Sequence, residues 1–409
     1  MTTPSAPGHD GAARDIYLDH AATTAVHPDV LAAMLPFFTT GAGNPSSVHH
    51  RGQAARQGLE SARRAVARAL GCRSREVVFT GGGSEADNLA IKGVAHAHRA
   101  AGHATSHLIS LPIEHHAVGH SLDRLEREGF AVTYVPVDQH GLARIEDIER
   151  AIRPDTCLIT VMYANNEVGT IQPVAEIGAL AHRHGILFHT DAVQAGGSLP
   201  INVDALNVDL LSLSAHKFYG PKGVGVLYVR SGVALDPLLD GGGQEHSVRA
   251  GTENVPGIVG LAAALTRAYA NLDVERPRVM ALRDRLIRGV QERIPGAYLQ
   301  GHPTQRLPNN AAFLIAGVSG EDLLLRLDLA GICASSGSAC NSGSTAPSHV
   351  LTACGAPPDL ARGSLRLTLG AENTEDDVDY TVATLAEIVA DLRARRPLPA
   401  AEPAALAAP

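Results

Sequence analysis

Tryptophan is absent from this 409-residue chain, and aromatic residues make up only 4% of it. A core built from such a composition must be aliphatic and alanine-rich. Lysine is almost missing too: among 34 basic residues only Lys92, Lys217 and Lys222 are lysines. Either cation serves on a solvated surface, so a lysine kept against this bias points to amine chemistry that a guanidinium cannot copy. The five cysteines, Cys72, Cys157, Cys333, Cys340 and Cys354, are odd in number and include no C-x-x-C pair. That argues against a disulfide framework and against a structural zinc site, and no metal is expected. No apolar run approaches the ~18 residues of a membrane span, and the first 15 residues lack the apolar centre of a secretory signal. A soluble, cytoplasmic chain with free thiols and no membrane partner is the expectation. A formal charge of −8 leaves no basic footprint, so nucleic acid is not an expected partner.

Apolar residues reach 45% and charged residues 19%, which at roughly 100–200 residues per domain suits two or three domains. Strand-like runs alternate with helical patterns from EVVFT (76–80) through HLISL (107–111), VTYVPV (132–137), CLITVMY (157–163), ILFHTDA (186–192) and DLLSLSA (209–215). The intervening helices are expected near 84–99, 116–129, 144–152 and 174–184. This alternation predicts an α/β fold with a doubly wound, mostly parallel sheet. A long helical stretch (258–294) then leads into shorter pieces: strands near 309–317 and 364–370, helices near 321–331 and 375–395. They predict a smaller α+β domain. The expected division is a large domain over 16–265, whose first residues pack on the small one, and a small domain over 266–396. Tails at 1–15 and 397–409 are expected to be disordered.

Ligands of parallel sheets sit at the carboxyl ends of strands, and three such ends carry chemistry. Thr80-Gly81-Gly82-Gly83-Ser84-Glu85 joins a strand to a helix. It is either an anion cradle or an ordinary tight turn capped by Ser84, and it is not a P-loop. Asp191, in His189-Thr190-Asp191-Ala192-Val193-Gln194, is placed to hold a cationic ring nitrogen; helix capping or metal binding is the alternative. Lys217, in Ser214-Ala215-His216-Lys217 before Gly220-Pro221, can form a Schiff base, with Ser214 and His216 binding phosphate or orienting the imine. Lys92 suits a solvated helix surface, and Lys222 is a reserve candidate. A fourth segment, Ala334-Ser335-Ser336-Gly337-Ser338-Ala339-Cys340-Asn341-Ser342-Gly343-Ser344, is too polar to pack a core. It predicts a mobile loop, 334–347, with a reactive thiol at Cys340. The other four cysteines suit buried, inert positions.

Together these segments resemble the cysteine desulfurases, the pyridoxal-phosphate family with NifS and IscS types, within the class-V aminotransferases of fold type I. The likeness extends from Tyr17-Leu18-Asp19-His20-Ala21-Ala22 and Gly43-Asn44-Pro45-Ser46-Ser47 to Ser364-Leu365-Arg366. Ser-Ser-Gly-Ser-Ala-Cys, followed by Pro347-Ser348-His349-Val350, is similar to the NifS/IscS branch. The resemblance implies that Lys217 holds pyridoxal 5′-phosphate, Asp191 pairs with its ring nitrogen, Gln194 bonds its hydroxyl oxygen and His115 stacks on the ring. Phosphate would rest on Gly83, Ser84, Ser214 and His216, with Thr252 reaching across from the second subunit of a homodimer. Asn166 and Arg366 would hold the carboxylate of L-cysteine, and Asn166 would also face the cofactor. Cys340 would take the sulfur, with Lys217 or His115 as base. An iron–sulfur scaffold or another acceptor protein, or a tRNA-thiolation relay, would then receive it. Competing activities are selenocysteine lyase or aminotransferase on the same fold, or a non-catalytic iron–sulfur scaffold. The chain departs from the family pattern in two places. Ser84 stands for a threonine, and Leu369-Gly370-Ala371-Glu372 stands for Leu-Gly-Arg-Phe, which removes a cation near the substrate mouth.

Overall fold

The structure, a computed structural model, describes residues 14–103, 105–337 and 348–395. At its centre is a seven-stranded sheet. Its strand order is Val77–Thr80, Gly225–Val229, Leu210–Ser214, Leu187–Asp191, Thr156–Thr160, His107–Ser110 and Ala131–Tyr134. Gly225–Val229 runs antiparallel to both neighbours and the other contacts are parallel. Thr156–Thr160 and Leu210–Ser214 are buried along their whole length. That continuous burial is what a parallel sheet covered on both faces demands.

Side-chain alternation sorts the sheet into two packed layers. Val77, Phe79, Ile109, Ile159, Leu211, Leu213 and Val226 face one core, shared with helices His50–Leu70, Val174–Arg183 and Val255–Ala270. Val78, Leu108, Leu158, Leu210 and Leu227 face a second core, shared with Gly83–Ala100 and His116–Arg127. The doubly wound α/β class read from the sequence is therefore present. Gly225–Val229 and the helices Pro28–Phe38 and His50–Leu70 add to the elements anticipated.

A third core lies between the antiparallel strands Ala297–Leu299, Asn310–Ile315 and Ser364–Thr368 and the helices Leu272–Arg293, Gly320–Leu329 and Glu375–Arg395. The expected long helix over 258–294 is two helices, because the chain leaves helical geometry at Asn271, which ends Val255–Ala270. Ile16 and Leu18, although near the start of the described chain, belong to this third core. Ile16–Tyr17 pairs in parallel with Ile332–Cys333. The segment that follows, 19–24, reaches back to the large sheet, where Thr24 N–H donates to His216 O at 2.9 Å. No described helix is long and apolar enough to cross a membrane.

Candidate active site

The predicted site loops that carry Gly83, Ser84, His115, Asn166, Asp191, Gln194, Ser214, His216 and Lys217 leave the same edge of the large sheet. The strands ending at Thr80, Ser110, Thr160, Asp191 and Ser214 run in one direction, so the residues that follow them gather there. The helix after Thr80 begins at Gly83, with Gly82 as its N-cap at φ 153° and no side-chain cap bond. Ser84 lies inside the first turn and is exposed, so it does not cap the helix. The first backbone N–H groups are left to an anion. A Cβ on Gly83 would stand 2.7 Å from Val193 Cγ2 and 3.4 Å from Ser214 Cβ. Only glycine allows this close seating of the helix start against the Asp191 and Ser214 loops.

Asp191 is buried, and one oxygen accepts the Val193 N–H at 2.9 Å. Burial raises its pKa to about 6, against the opposing pull of that N–H and of Lys217. Such a carboxylate gains most from a cationic partner. Lys217 lies on a short 3-10 turn, Ala215–Lys217. Its Nζ donates to Ala21 O at 2.6 Å and to Ala22 O at 2.7 Å. Gln194 Nε2 also donates to Ala21 O, at 3.0 Å. His216 meets Thr23 Oγ1 at 3.1 Å, and burial, reinforced by Lys217 and Lys222, lowers its pKa to about 4.

His115 caps the helix His116–Arg127, its Nδ1 accepting the Ala117 N–H at 3.1 Å. Burial first, then Lys217 and neighbouring histidines, lowers its pKa to about 4. It is thus neutral near pH 7, with the ring proton on Nε2. Ligand atoms of Asp87, His115 and Asp191 all lie within 4.8 Å of one another. His115 and Asp191 are thereby brought together as anticipated. Asp87 was not anticipated. Its Oδ1 is buried without a hydrogen-bond partner, and burial together with Asp191 pushes its pKa well up. Asp87 lies four residues after Gly83 on the buried stripe of its helix, and a carboxylate on an apolar stripe was the signal available. His189 is held by Thr160 and Ser212 at 2.8 and 3.0 Å.

Arg366, on the strand Ser364–Thr368, enters from the smaller core. Its guanidinium donates to Asn166 O at 3.1 Å and to Asp19 Oδ1 at 2.9 Å, and its buried Nε has no partner. The structure thus brings Asn166 and Arg366 into contact. Beside them Glu167 accepts the Ser348 hydroxyl at 2.5 Å. Burial raises Glu167 to about 7, against the Ser348 bond and Arg366. Thr252 is exposed, three residues after Arg249, which bonds Glu85 at 2.8 Å.

Cys340 lies outside the described residues, as does most of the loop predicted over 334–347. Among the described cysteines, burial pushes Cys72 and Cys354 up to about 12 and Cys157 up to about 11, and Cys333 is also raised. None of these four is poised as a thiolate. The altered Ala371-Glu372 dipeptide has partners of its own. Glu372 bonds His20 Nε2 at 2.9 Å and the Tyr219 hydroxyl at 3.1 Å, and those bonds hold its pKa down to about 2 despite partial burial.

Residues 16–381 match the aminotransferase class-V family. A curated cysteine desulfurase IscS of Methanosarcina thermophila is 53% identical over 383 residues, covering 94% of each chain. The chain belongs to the cysteine desulfurases of the class-V aminotransferase family. A solved NifS-like protein superposes with a TM-score of 0.86 at 38% identity, over 92% of this chain and all of the other. SspA, solved in complex with cysteine, superposes with a TM-score of 0.76 at 37% identity, over 87% of this chain and 98% of its own.

Proposed function

We propose that this protein is a homodimeric cysteine desulfurase that uses pyridoxal 5′-phosphate to convert L-cysteine to L-alanine while leaving a persulfide on Cys340. The observation that carries the reading is the meeting of three features at one sheet edge. They are the Lys217 amine, the buried Asp191 carboxylate and an uncapped helix start at Gly83. These residues fit the cofactor: Asp191 stays raised by burial even with Lys217 acting on it, so a cationic ring nitrogen would offset that burial, and the Gly83 seat would be filled by any Cβ. Bound there, pyridoxal phosphate supplies an aldehyde that takes up the substrate amine and a protonated ring that accepts electrons from Cα.

Each residue then has a task. Lys217 would hold the aldehyde carbon, and its amine would move the proton at the substrate Cα. Asp191 would keep the ring nitrogen protonated, Gln194 would bond the ring hydroxyl oxygen, and the neutral His115 would pack on the ring. Gly83, Ser84, Ser214 and His216 would hold the phosphate, joined by Thr252 of a second copy. Arg366 and Asn166 would bind the substrate carboxylate, and Asn166 would also contact the cofactor. The Cys340 thiolate attacks the substrate sulfur. A sulfur–sulfur bond forms, the Cβ–S bond breaks with its electron pair kept on carbon, and protonation of that carbon gives alanine. An acceptor protein such as an iron–sulfur scaffold then takes the terminal sulfur. The SspA structure with cysteine supports the substrate, and the relatives' names support the activity.

Mass spectrometry of the holoenzyme after incubation with L-cysteine tests this. One added sulfur on the Cys340 peptide, with an equivalent of alanine released, is expected. Alanine release with the sulfur on another residue, or keto-acid-dependent amino transfer, overturns it.

A further inference from the structure

Arg63 and Glu245 form an ion pair that the site described so far does not use. Both side chains are almost fully buried. Arg63 Nη1 donates to Glu245 Oε2 at 2.8 Å and Nη2 to Oε1 at 2.7 Å. The same Oε2 accepts the Phe79 N–H at 2.8 Å, and Arg63 Nη1 also donates to Val77 O at 2.7 Å. Glu245 is thereby fastened to the strand that ends in the Gly81–Gly83 turn. Glu245, His246 and Ser247 have φ of 42°, 60° and 64°, three successive non-glycine residues in left-handed geometry. Such a run persists only where its surroundings fix it, and a buried bidentate pair fixes geometry more surely than it adds stability.

Beyond this turn the chain returns to the same cradle. Gln244 Oε1 accepts the Gly251 N–H at 3.1 Å, closing the loop on itself. Arg249 Nε donates to Glu85 Oε1 at 2.8 Å, while Glu85 Oε2 accepts the Gly81 N–H at 2.7 Å. Glu85 is the acidic residue of the first helical turn, where an anion would sit. Uncompensated, its charge would oppose a phosphate.

We propose that Glu245 is a positioning residue for phosphate: by gripping Arg63 it fixes the left-handed turn 245–247, and the turn holds Arg249 against Glu85 so that the cradle accepts an anion. The inference rests on the cofactor reading given above. It predicts a selective effect, because pyridoxal carries the same ring and aldehyde without phosphate. Apoenzyme is titrated with pyridoxal phosphate and with pyridoxal, followed by visible absorbance, for the parent chain and for Glu245→Gln, Arg249→Gln and Arg249→Gln with Glu85→Gln. Glu245→Gln and Arg249→Gln are expected to weaken pyridoxal phosphate about tenfold, as loss of a charge-assisted contact would, and pyridoxal less than twofold. Adding Glu85→Gln to Arg249→Gln is expected to restore most of the loss. Equal weakening of both ligands, or no weakening of either, overturns the proposal. Should Glu245→Gln not fold, the partly exposed Arg249–Glu85 pair decides alone. A parent chain that binds neither ligand overturns the cofactor reading, and the proposal with it.

Discussion

The side-chain nitrogen of Lys217 donates to the main-chain oxygen of Ala21 at 2.6 Å, an oxygen that Gln194 Nε2 also reaches at 3.0 Å. One carbonyl thus gathers the lysine and the glutamine that follow two neighbouring strands. Replacing Lys217 with alanine is expected to abolish the borohydride-sensitive visible band and to lower turnover by about three orders of magnitude, within the range for loss of a general base. Absorbance and an alanine assay check it, and an unchanged spectrum would assign the amine role elsewhere.

Cys340→Ala separates sulfur transfer from cofactor binding. The purified variant is expected to keep the visible band while alanine release from cysteine falls to background. Normal turnover would remove Cys340 from the mechanism. The four described thiols, all raised by burial, offer no ready substitute.

Glu167 makes stability depend on pH in a definite sense. Its folded pKa, about 7, lies above the usual carboxylate value because burial disfavours the charge. The group therefore favours the folded state most fully below pH ~4, and that contribution is lost as pH rises through about 7. Glu167→Gln removes the penalty. Denaturant titrations at pH 5 and pH 8 should show the variant gaining on the parent by on the order of 1–3 kcal/mol across that window. Parallel pH dependence in the two proteins would place the titration on another group.

Glu372 acts in the opposite direction. Its pKa is held down to about 2 by the bonds from His20 and Tyr219, so its contribution is present above pH ~4 and is lost as pH falls toward 2. The side chain is about half exposed, so solvent screening keeps the contribution of the His20 pair small. Glu372→Ala is expected to cost a few tenths to about 1 kcal/mol near pH 7. A loss several times larger, measured by denaturant titration, would mean that the strained Tyr219 (φ 64°) depends on this carboxylate.

What could be read before the structure was local. Strand ends are recognisable from short β-rich runs, so Asp191, Ser214, His216 and Lys217 follow from position alone. The Gly225–Val229 strand escapes such a reading because its antiparallel pairing is a matter of sheet order, not of its own residues. The carbonyls of Ala21 and Ala22 escape for a different reason: every residue has one, so no side chain marks them. Asp87 and Glu245 are ordinary acidic residues until burial and a neighbour across the fold give them their character. Asn271, one polar residue in a long helical pattern, divides two helices because the chain must turn between the large and small cores.

The segment Ile16–Thr24 binds residues that the ribosome supplies last. Ile16 pairs with Ile332, Ala21 N–H donates to the Thr368 hydroxyl, and the same segment supplies the oxygens around Lys217. A chain ending before residue 332 keeps the contacts of residues 21–24 with Gln194, His216 and Lys217, yet Ile16–Tyr17 lacks the strand it pairs with. The segment that frames Lys217 is therefore fixed from two sides, by the large sheet through Thr24 and by the small core through Ile16 and Ala21, so loosening of either core would be felt at the lysine.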